Sequence, residues 1–402
     1  MNDAATTSEE SGHMDRPLFV AVILLVAFGI VMVYSASVVM ATHQMDNSTY
    51  FLGRQVVYAI IGIVIMMVVS RIDYHVFQNS AVVWAVLGIS FAGLLLCHTP
   101  LGATINGASR WIRLGPVTVQ PAEAVKVSLV IWLSYSLAKK SSRIKSFSIG
   151  FLPHLLVPGV LMFACMLQPD FGTTVVIALL TFSLLFIAGA KIGYIMLAGI
   201  VAAPIAYLLA TGSEYRFRRL LTFLDPLATR YGDGYQLTQS LFGFGSGGLT
   251  GVGIGDGLQK FLFLPEAHND FISSIIAEEL GVIGIWATML LCAVVIGRGI
   301  LIGFRSKDEF GSFIASGLSI LLGVQVLANM GVAMGLLPTK GLNLPFVSFG
   351  GSALVFSLGA IGVLLSISRG GVVPQPKEMG ERSWSSKGNV RKADKAGSEG
   401  VV

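Results

Sequence analysis

The chain changes from polar to apolar at Leu264-Pro265-Glu266-Ala267-His268-Asn269-Asp270-Phe271, and the apolar run then continues to Gly297. That run is longer than the roughly 20 residues that an α-helix needs to cross a bilayer. Three titratable side chains, those of Glu266, His268 and Asp270, therefore lie together where a membrane span begins. An ionisable group in such a place is costly unless it is paired or used, so this segment is our first candidate for a functional site.

Asp270 has two compatible interpretations at this position. Aspartate is a preferred N-cap residue, because its carboxylate accepts hydrogen bonds from the first backbone amides of a helix. A carboxylate at a membrane surface can also accept a proton in catalysis. Glu266 and His268 alternate with Asp270 in a segment led by proline, and no regular amphipathic helix explains that pattern.

The composition indicates a polytopic membrane protein. Of its 402 residues, 54% are hydrophobic and only 12% are charged, about half the charged share of a soluble domain. The formal net charge of +5 arises in loops and in the tail, so no compact basic patch for nucleic acid is predicted. Cys97, Cys165 and Cys292 lie in apolar runs or at their ends. We interpret them as small core residues rather than as a disulfide framework.

The apolar runs predict an all-α fold, a bundle of ten transmembrane helices with about 20 residues in each span. Residues 17–371 form this membrane domain, residues 1–16 a polar N-terminal tail, and residues 372–402 a disordered tail. The loop from Lys139 to Lys145 is the most basic short loop, so the positive-inside rule places it in the cytoplasm. Both termini are then cytoplasmic. The large loop from Thr211 to Asp270, between spans seven and eight, is extracytoplasmic.

Cationic side chains cluster in the predicted outer loops. Guanidinium groups bind phosphate oxygens bidentately, and a carboxylate can accept the proton of a sugar hydroxyl. A polyprenyl-diphosphate sugar would satisfy both requirements. The basic residues concerned are Arg110, Arg216, Arg218, Arg219 and Lys340. For the three arginines that follow span seven, anchoring to lipid headgroups is an equal alternative.

Two further features near these loops have more than one interpretation. Trp111 adjoins Arg110 and either shapes a ligand path or serves as an interfacial belt residue. Glu123 and Lys126 are three positions apart in the fourth predicted span, so their side chains can meet on one helix face. Mutual neutralisation is the simpler account of that pair. The glycine-rich stretch from Gly243 to Gly257 is expected to lie close to the membrane surface or to a ligand.

Several motifs, in chain order, resemble the successive signatures of the SEDS family of bacterial cell-wall polymerases, which act in shape, elongation, division and sporulation. They are Gly107-Ala-Ser-Arg-Trp-Ile-Arg113, Gln120-Pro-Ala-Glu123 with Lys126, Gln168-Pro-Asp-Phe-Gly172, Tyr235-Gln-Leu-Thr-Gln-Ser240, Pro265-Glu-Ala-His-Asn-Asp270 and Pro338 to Ser352. The resemblance extends from Pro17 to Gly371. Within the family, Leu337-Pro-Thr-Lys-Gly-Leu342 is more similar to the division member than to the elongation member.

The resemblance implies a ten-helix peptidoglycan glycosyltransferase of the bacterial cytoplasmic (inner) membrane, placed at the division septum, that polymerises lipid II. Its implied partners are a class B penicillin-binding protein as transpeptidase and other divisome membrane proteins. The essential aspartate of the family matches Asp270, and its loop tryptophan matches Trp111. Our substrate-binding candidates also include Glu266, His268 and Ser348, which lie within the matched motifs.

The chain departs from the family pattern at two positions of the last motif. Phe349 stands where a tyrosine is expected, and Asn343 where a threonine is usual. Neither change touches the carboxylate of Asp270. Phe349 excludes a role for a tyrosine hydroxyl at position 349. Neither change argues against the activity.

The reaction implied is an inverting glycosyl transfer, in which a sugar 4-hydroxyl attacks the anomeric carbon of a lipid-linked disaccharide. Asp270 would act as the general base or would hold a divalent cation, Mg²⁺ or Mn²⁺, and the sequence does not separate these roles. A transporter that flips lipid II across the membrane also needs a helical bundle with intramembrane charges. A non-catalytic divisome scaffold is the third alternative.

Overall fold

The computed structural model describes residues 13–370, apart from residues 106, 107, 116 and 213. The predicted tails, 1–16 in large part and 372–402 entirely, lie outside the described residues. The described chain is mostly helical. Its α-helices are α1 (Arg16–Met45), α2 (Tyr50–Val69), α3 (Ser80–Leu96), α4 (Pro121–Lys139), α5 (Pro153–Leu167), α6 (Phe171–Ile187), α7 (Ile192–Thr211), α8 (Glu214–Leu224), α9 (Tyr235–Ser246), α10 (Ile272–Arg305), α11 (Glu309–Ala333) and α12 (Gly351–Ser368).

Six helical segments of the described chain are long and apolar enough to cross a membrane. They are α1, α2, the segment Phe147–Leu167 that contains α5, and α10, α11 and α12. Shorter apolar helices are α3, α6 and the part Ile192–Ile205 of α7. Length and composition therefore establish a multi-pass membrane protein with six candidate spans.

Helix α4 lies inside the bundle and packs against α3, α5, α6, α11 and α12. Val125, Leu129, Leu133 and Leu137 are fully buried, and buried residues lie on every side of the helix. A helix that is buried all round does not need an amphipathic pattern. Its polar residues are therefore enclosed by protein, which is how a membrane bundle tolerates them.

A small antiparallel sheet follows α3 and corrects the all-helical prediction. Its strands, in the order β1-β2-β3, are β1 (Gly102–Ile105), β2 (Ala108–Leu114) and β3 (Val117–Val119). Strand β2 carries aromatic and β-branched residues, which favour a pleated surface. The sheet is held to the start of α12, because Ser352 Oγ accepts a hydrogen bond from Gln120 N at 3.0 Å and donates one to Thr118 O at 3.3 Å.

The predicted large loop contains two helices, α8 and α9, and a glycine-rich segment that packs on α10. Backbone amides of Val252 and Gly253 donate to the carbonyls of Glu278 and Glu279, at 3.0 and 3.1 Å. Gly251 has φ +80°, and a Cβ there would collide with the Glu279 backbone. Glycine is therefore needed for the close approach of two backbones, at the point where α10 is kinked.

Candidate functional site

A polar cavity opens between β2, the first turns of α4 and the loop that precedes α12. Its cavity volume is about 30 Å³. Its charged lining residues are Arg110, Glu123, Lys126 and Asp170. Concave sites with a few convergent polar groups are where ligands usually bind.

Glu123 and Lys126 form an ion pair in this cavity, as their spacing predicts. Lys126 Nζ lies 2.8 Å from Glu123 Oε1, and the side chains are only 2% and 12% exposed. Removing one partner of such a pair leaves an uncompensated buried charge, which is strongly destabilising. The pairing therefore avoids an uncompensated buried charge beside the cavity.

Arg110 reaches the cavity from β2 and is held by the turn that precedes α6. Its Nε donates to Gln168 O at 3.2 Å, and its Nη2 donates to Pro169 O. Asp170 ends that turn and caps α6, accepting hydrogen bonds from the backbone and hydroxyl of Thr173. The arginine is therefore fixed by backbone carbonyls, while its charge faces the cavity.

Asp270 adjoins this cavity through Gly341, which is one of the lining residues. A Cβ on Gly341 would lie 2.7 Å from Asp270 Oδ2, so only glycine lets the loop pack against the carboxylate. Helix α10 begins after Phe271 and has no side-chain N-cap hydrogen bond. The capping interpretation of Asp270 is therefore not what the structure shows.

The surroundings of Asp270 favour its neutral form. Protein encloses the carboxyl on nearly every side, although the residue keeps a partly exposed surface. This burial, followed by the negative charge of Glu266, raises the pKa of Asp270 from 3.8 to about 7. Positive charges on Arg219 and Arg110 oppose that rise. A carboxyl with a pKa near 7 is suited to accept a proton at neutral pH.

Asn329 of α11 positions the backbone of Asp270 and was missed by the sequence analysis. Its Nδ2 donates to Asp270 O at 2.8 Å and to Leu342 O at 2.6 Å, and its Oδ1 accepts from the Ser273 hydroxyl at 3.2 Å. Asn329 is only 1% exposed. The sequence does contain a signal for Asn329, because a buried amide in an apolar helix needs hydrogen-bond partners.

Glu266 and His268 face a second cavity rather than the first. Glu266 has φ +53°, and its Oε2 accepts from Asn269 Nδ2 at 2.7 Å. The His268 ring lies 4.5 Å from that of Phe51 and 5.5 Å from that of Phe349, centroid to centroid. Burial lowers the pKa of His268, so the ring is neutral at pH 7.

Ser348 and Lys340 lie in the loop before α12 and have different surroundings. Ser348 lines the first cavity, and its Oγ accepts from Leu344 N at 2.9 Å. The Lys340 ammonium lies 4.5 Å from the centroid of the Phe171 ring, a cation–π geometry. Ser348 thus shapes the loop, while Lys340 does not line the cavity.

The arginines that were predicted to cluster in the large loop have different surroundings in the structure. Arg219 Nη1 donates to Thr339 O at 3.1 Å, and its charge acts on Asp270. Arg218 is exposed, and the side chain of Arg216 lies outside the described residues. Trp111 is half-buried and does not line the first cavity, because successive strand residues point to opposite faces.

The described part of the chain contains no group of three or more His, Cys, Asp or Glu side chains that could hold a metal ion. A Mg²⁺ at Asp270 would therefore take most of its ligands from substrate phosphates and water, a coordination that is usual for this ion. These residues therefore fit a cation that the protein and the substrate coordinate together, rather than one that protein side chains alone coordinate.

The fold and this site define a multi-pass membrane protein with a polar, charged cavity beside the start of a long span. The chain belongs to the cell cycle protein family FtsW/RodA/SpoVE, whose profile matches residues 15–371. It is 42% identical over 360 residues to "Probable peptidoglycan glycosyltransferase FtsW" of Geobacter sulfurreducens, covering 90% of this chain and 96% of that one. It is 38% identical over 358 residues to "Stage V sporulation protein E" of Bacillus subtilis, covering 88% and 97%.

Solved structures have the same fold. The structure "Structural coordination of polymerization and crosslinking by a peptidoglycan synthase complex" contains a chain that matches with a TM-score of 0.73 and 26% identity, covering 89% of this chain and 98% of that one. The rod shape determining protein RodA of Thermus thermophilus matches with a TM-score of 0.66 and 25% identity, covering 90% and 98%. The predicted family is therefore confirmed.

Proposed function

We propose that this chain is a peptidoglycan glycosyltransferase that polymerises lipid II into glycan strands during septal wall synthesis in cell division. The observation that carries the proposal is Asp270, a carboxyl with a pKa near 7 beside a cavity that holds Arg110. Relatives that carry the name FtsW support the division role.

In this reaction Asp270 takes the proton of the acceptor sugar's 4-hydroxyl as that oxygen attacks the anomeric carbon of the second lipid-linked disaccharide. The bond from that carbon to the diphosphate breaks on the opposite face, so the configuration inverts. Arg110 and Arg219 supply positive charge near Asp270 and would stabilise the departing diphosphate. We also propose that the substrate contacts Glu123, Lys126 and Ser348, which line the first cavity.

The proposed base predicts the pH dependence of the reaction. We expect kcat/KM for lipid II to rise with pH through a limb near 7, because only ionised Asp270 accepts the proton. Glu266→Gln removes a negative charge that opposes this ionisation and keeps an acceptor for Asn269. The pKa of Asp270 should fall, and the acid limb should move to lower pH. Rate profiles of the two purified proteins test this, and an unchanged limb would contradict it.

Arg110 offers a test of diphosphate recognition with a matched control in the same strand. Losing one transition-state donor costs about 100- to 1,000-fold in kcat, so Arg110→Ala should lower polymerisation on this scale. Arg110→Lys should recover only part, because it lacks the planar fork. Arg113→Ala removes an exposed arginine of β2 and should polymerise lipid II at the wild-type rate. Equal loss in the two alanine variants would point to damage to the sheet.

We further propose a ten-span topology made of α1 to α7 and α10 to α12, with residues 17–371 as the membrane domain. Residues 1–16 and 372–402 would be cytoplasmic tails, and the loop from Thr211 to Asp270 would be extracytoplasmic. The basic loop after α4 supports this orientation. Trp111 would then lie on the outer side and shape the path of the sugar.

A cysteine at position 230 should react with an impermeant maleimide applied outside the cell, and one at position 143 should not. Both positions are exposed in the structure. The native cysteines are buried, so their background labelling should be low. Labelling at 143 with protection at 230 would reverse the proposed orientation.

We propose that the partners are lipid II, a class B penicillin-binding protein as transpeptidase, and other divisome membrane proteins. The likeness to a chain of a peptidoglycan synthase complex supports a transpeptidase partner. The description of the family as cell cycle proteins and the six candidate spans support the inner membrane at the septum as the site of action.

Purified protein in liposomes with labelled lipid II separates the candidate functions. Polymer formation supports the glycosyltransferase. Translocation of intact lipid II without polymer would support a flippase. If a well-folded protein with its transpeptidase present shows neither activity, the scaffold is the function that is left.

A further inference from the structure

A second cavity lies between the outer half of α1 and the segment that leads to Asp270. Its cavity volume is about 290 Å³. Ala36, Met40 and Gln44 form one wall, since residues four apart share a face of a helix. The opposite wall is formed by Lys260, Leu262 and residues 264–268.

The charges that line this cavity do not suit a diphosphate. Lys260 Nζ lies 3.0 Å from Glu279 Oε1, and both side chains are buried. The Ser35 hydroxyl also donates to Glu279, at 2.7 Å. The positive charge of Lys260 is therefore compensated, while Glu266 adds a negative charge to the lining. The lining contains no arginine, in contrast to the first cavity.

The polar groups of the lining suit an uncharged ligand that is rich in hydroxyl and amide groups. Gln44 and Glu266 offer an amide and a carboxylate, and His268 is 3% exposed. The Nδ1 of His268 has no hydrogen-bond partner in the described part of the chain. A buried polar atom without a partner calls for one. Met40, Leu262 and Leu264 add apolar surface on which the C–H face of a sugar ring can pack.

We propose that this second cavity binds an uncharged sugar unit of the growing glycan strand and keeps the strand on the enzyme between successive additions. The inference rests on the proposed polymerase function. Its lining ends at His268, and the Cα atoms of residues 268 and 270 are at most about 7 Å apart, so a strand joined at the carboxylate can reach this cavity. The first cavity holds the diphosphate end, and the second holds sugars that have already been joined.

The test introduces a tryptophan into the cavity and, as a control, a tryptophan at a neighbouring position outside it. Met40→Trp fills the cavity from α1, and Gln44→Trp blocks its exposed mouth without entering the protein core. Met45→Trp is the control, because position 45 is exposed and about 140° round the helix from position 40. The probe is a peptidoglycan tetrasaccharide without lipid or diphosphate.

Wild type and Met45→Trp should bind the tetrasaccharide, and the two cavity variants should bind it about tenfold or more weakly, a loss of about 1.4 kcal/mol. Their strands should also be several-fold shorter. Binding and strand length that do not change in Gln44→Trp would overturn the proposal, as would displacement of the tetrasaccharide by a polyprenyl phosphate that lacks sugar. A wild type that binds the tetrasaccharide but makes no polymer would contradict the polymerase function and leave the cavity assignment standing.

Discussion

Asp270→Asn is expected to abolish polymerisation of lipid II while leaving the fold intact. Asparagine keeps the volume that packs against Gly341, and Asn329 bonds the backbone of residue 270 rather than its side chain. The amide cannot accept the proton of the attacking hydroxyl. Positioned proton transfer is worth about 100- to 10,000-fold, so the polymer yield should fall by that factor or more.

The stability of this variant provides the control. A carboxyl whose folded pKa is about 7 instead of 3.8 binds protons more tightly in the folded state. It therefore reduces stability progressively as pH rises from about 4 through 7. Asp270→Asn removes this penalty, so its Tm at pH 8 should equal or exceed that of wild type. A folded variant with wild-type polymer yield would contradict the assignment and transfer the base role to Glu123 or Glu266.

In cells, the same variant should still insert and bind its transpeptidase partner. It would then occupy the division complex without making glycan, and so inhibit division dominantly. The measurement is cell length after expression beside the wild-type protein. Normal division together with normal partner binding would contradict an essential role for the carboxylate.

Asn329→Leu is expected to lower the rate strongly, because it removes the amide that joins Asp270, α11 and the loop at Leu342. Two carbonyls lose a donor, and leaving a buried polar group unsatisfied costs about 1–3 kcal/mol. A shift of about 1 Å at a reacting group can cost roughly 100-fold. We expect kcat to fall on that scale, with a smaller change in KM.

Ser319→Ala is the matched control for Asn329→Leu on the same helix. Among the described residues, the Ser319 hydroxyl donates only to the carbonyl of Ala315, at 2.7 Å, within α11. Its loss should leave kcat unchanged. If both variants lowered kcat equally, Asn329 would be a general stabiliser of α11 rather than a positioning residue.

Local spacing correctly predicted one ion pair beside the first cavity. The three-residue separation of Glu123 and Lys126 is enough to bring the ammonium and carboxylate together on α4. Asp170 also bonds locally, because it caps α6 through Thr173, three residues further along the chain. These features depend on residues within one helical turn, so no knowledge of distant packing was needed.

Features that depend on packing between distant segments could not be predicted. Asn329 and Leu342 meet Asp270 only because α11 and the following loop pack against the start of α10. Glu266, although four residues from Asp270, has a positive φ and lines another cavity. The sheet was missed because its strands are short and lie between apolar helices.

The most direct test of the proposed glycosyl transfer is the release of polyprenyl diphosphate by the purified protein in liposomes that contain lipid II. We expect release equimolar with the new glycosidic bonds, β configuration in the product, and no release by Asp270→Asn. Wild-type protein that folds and binds its transpeptidase, but moves lipid II across the bilayer without releasing diphosphate, would contradict it.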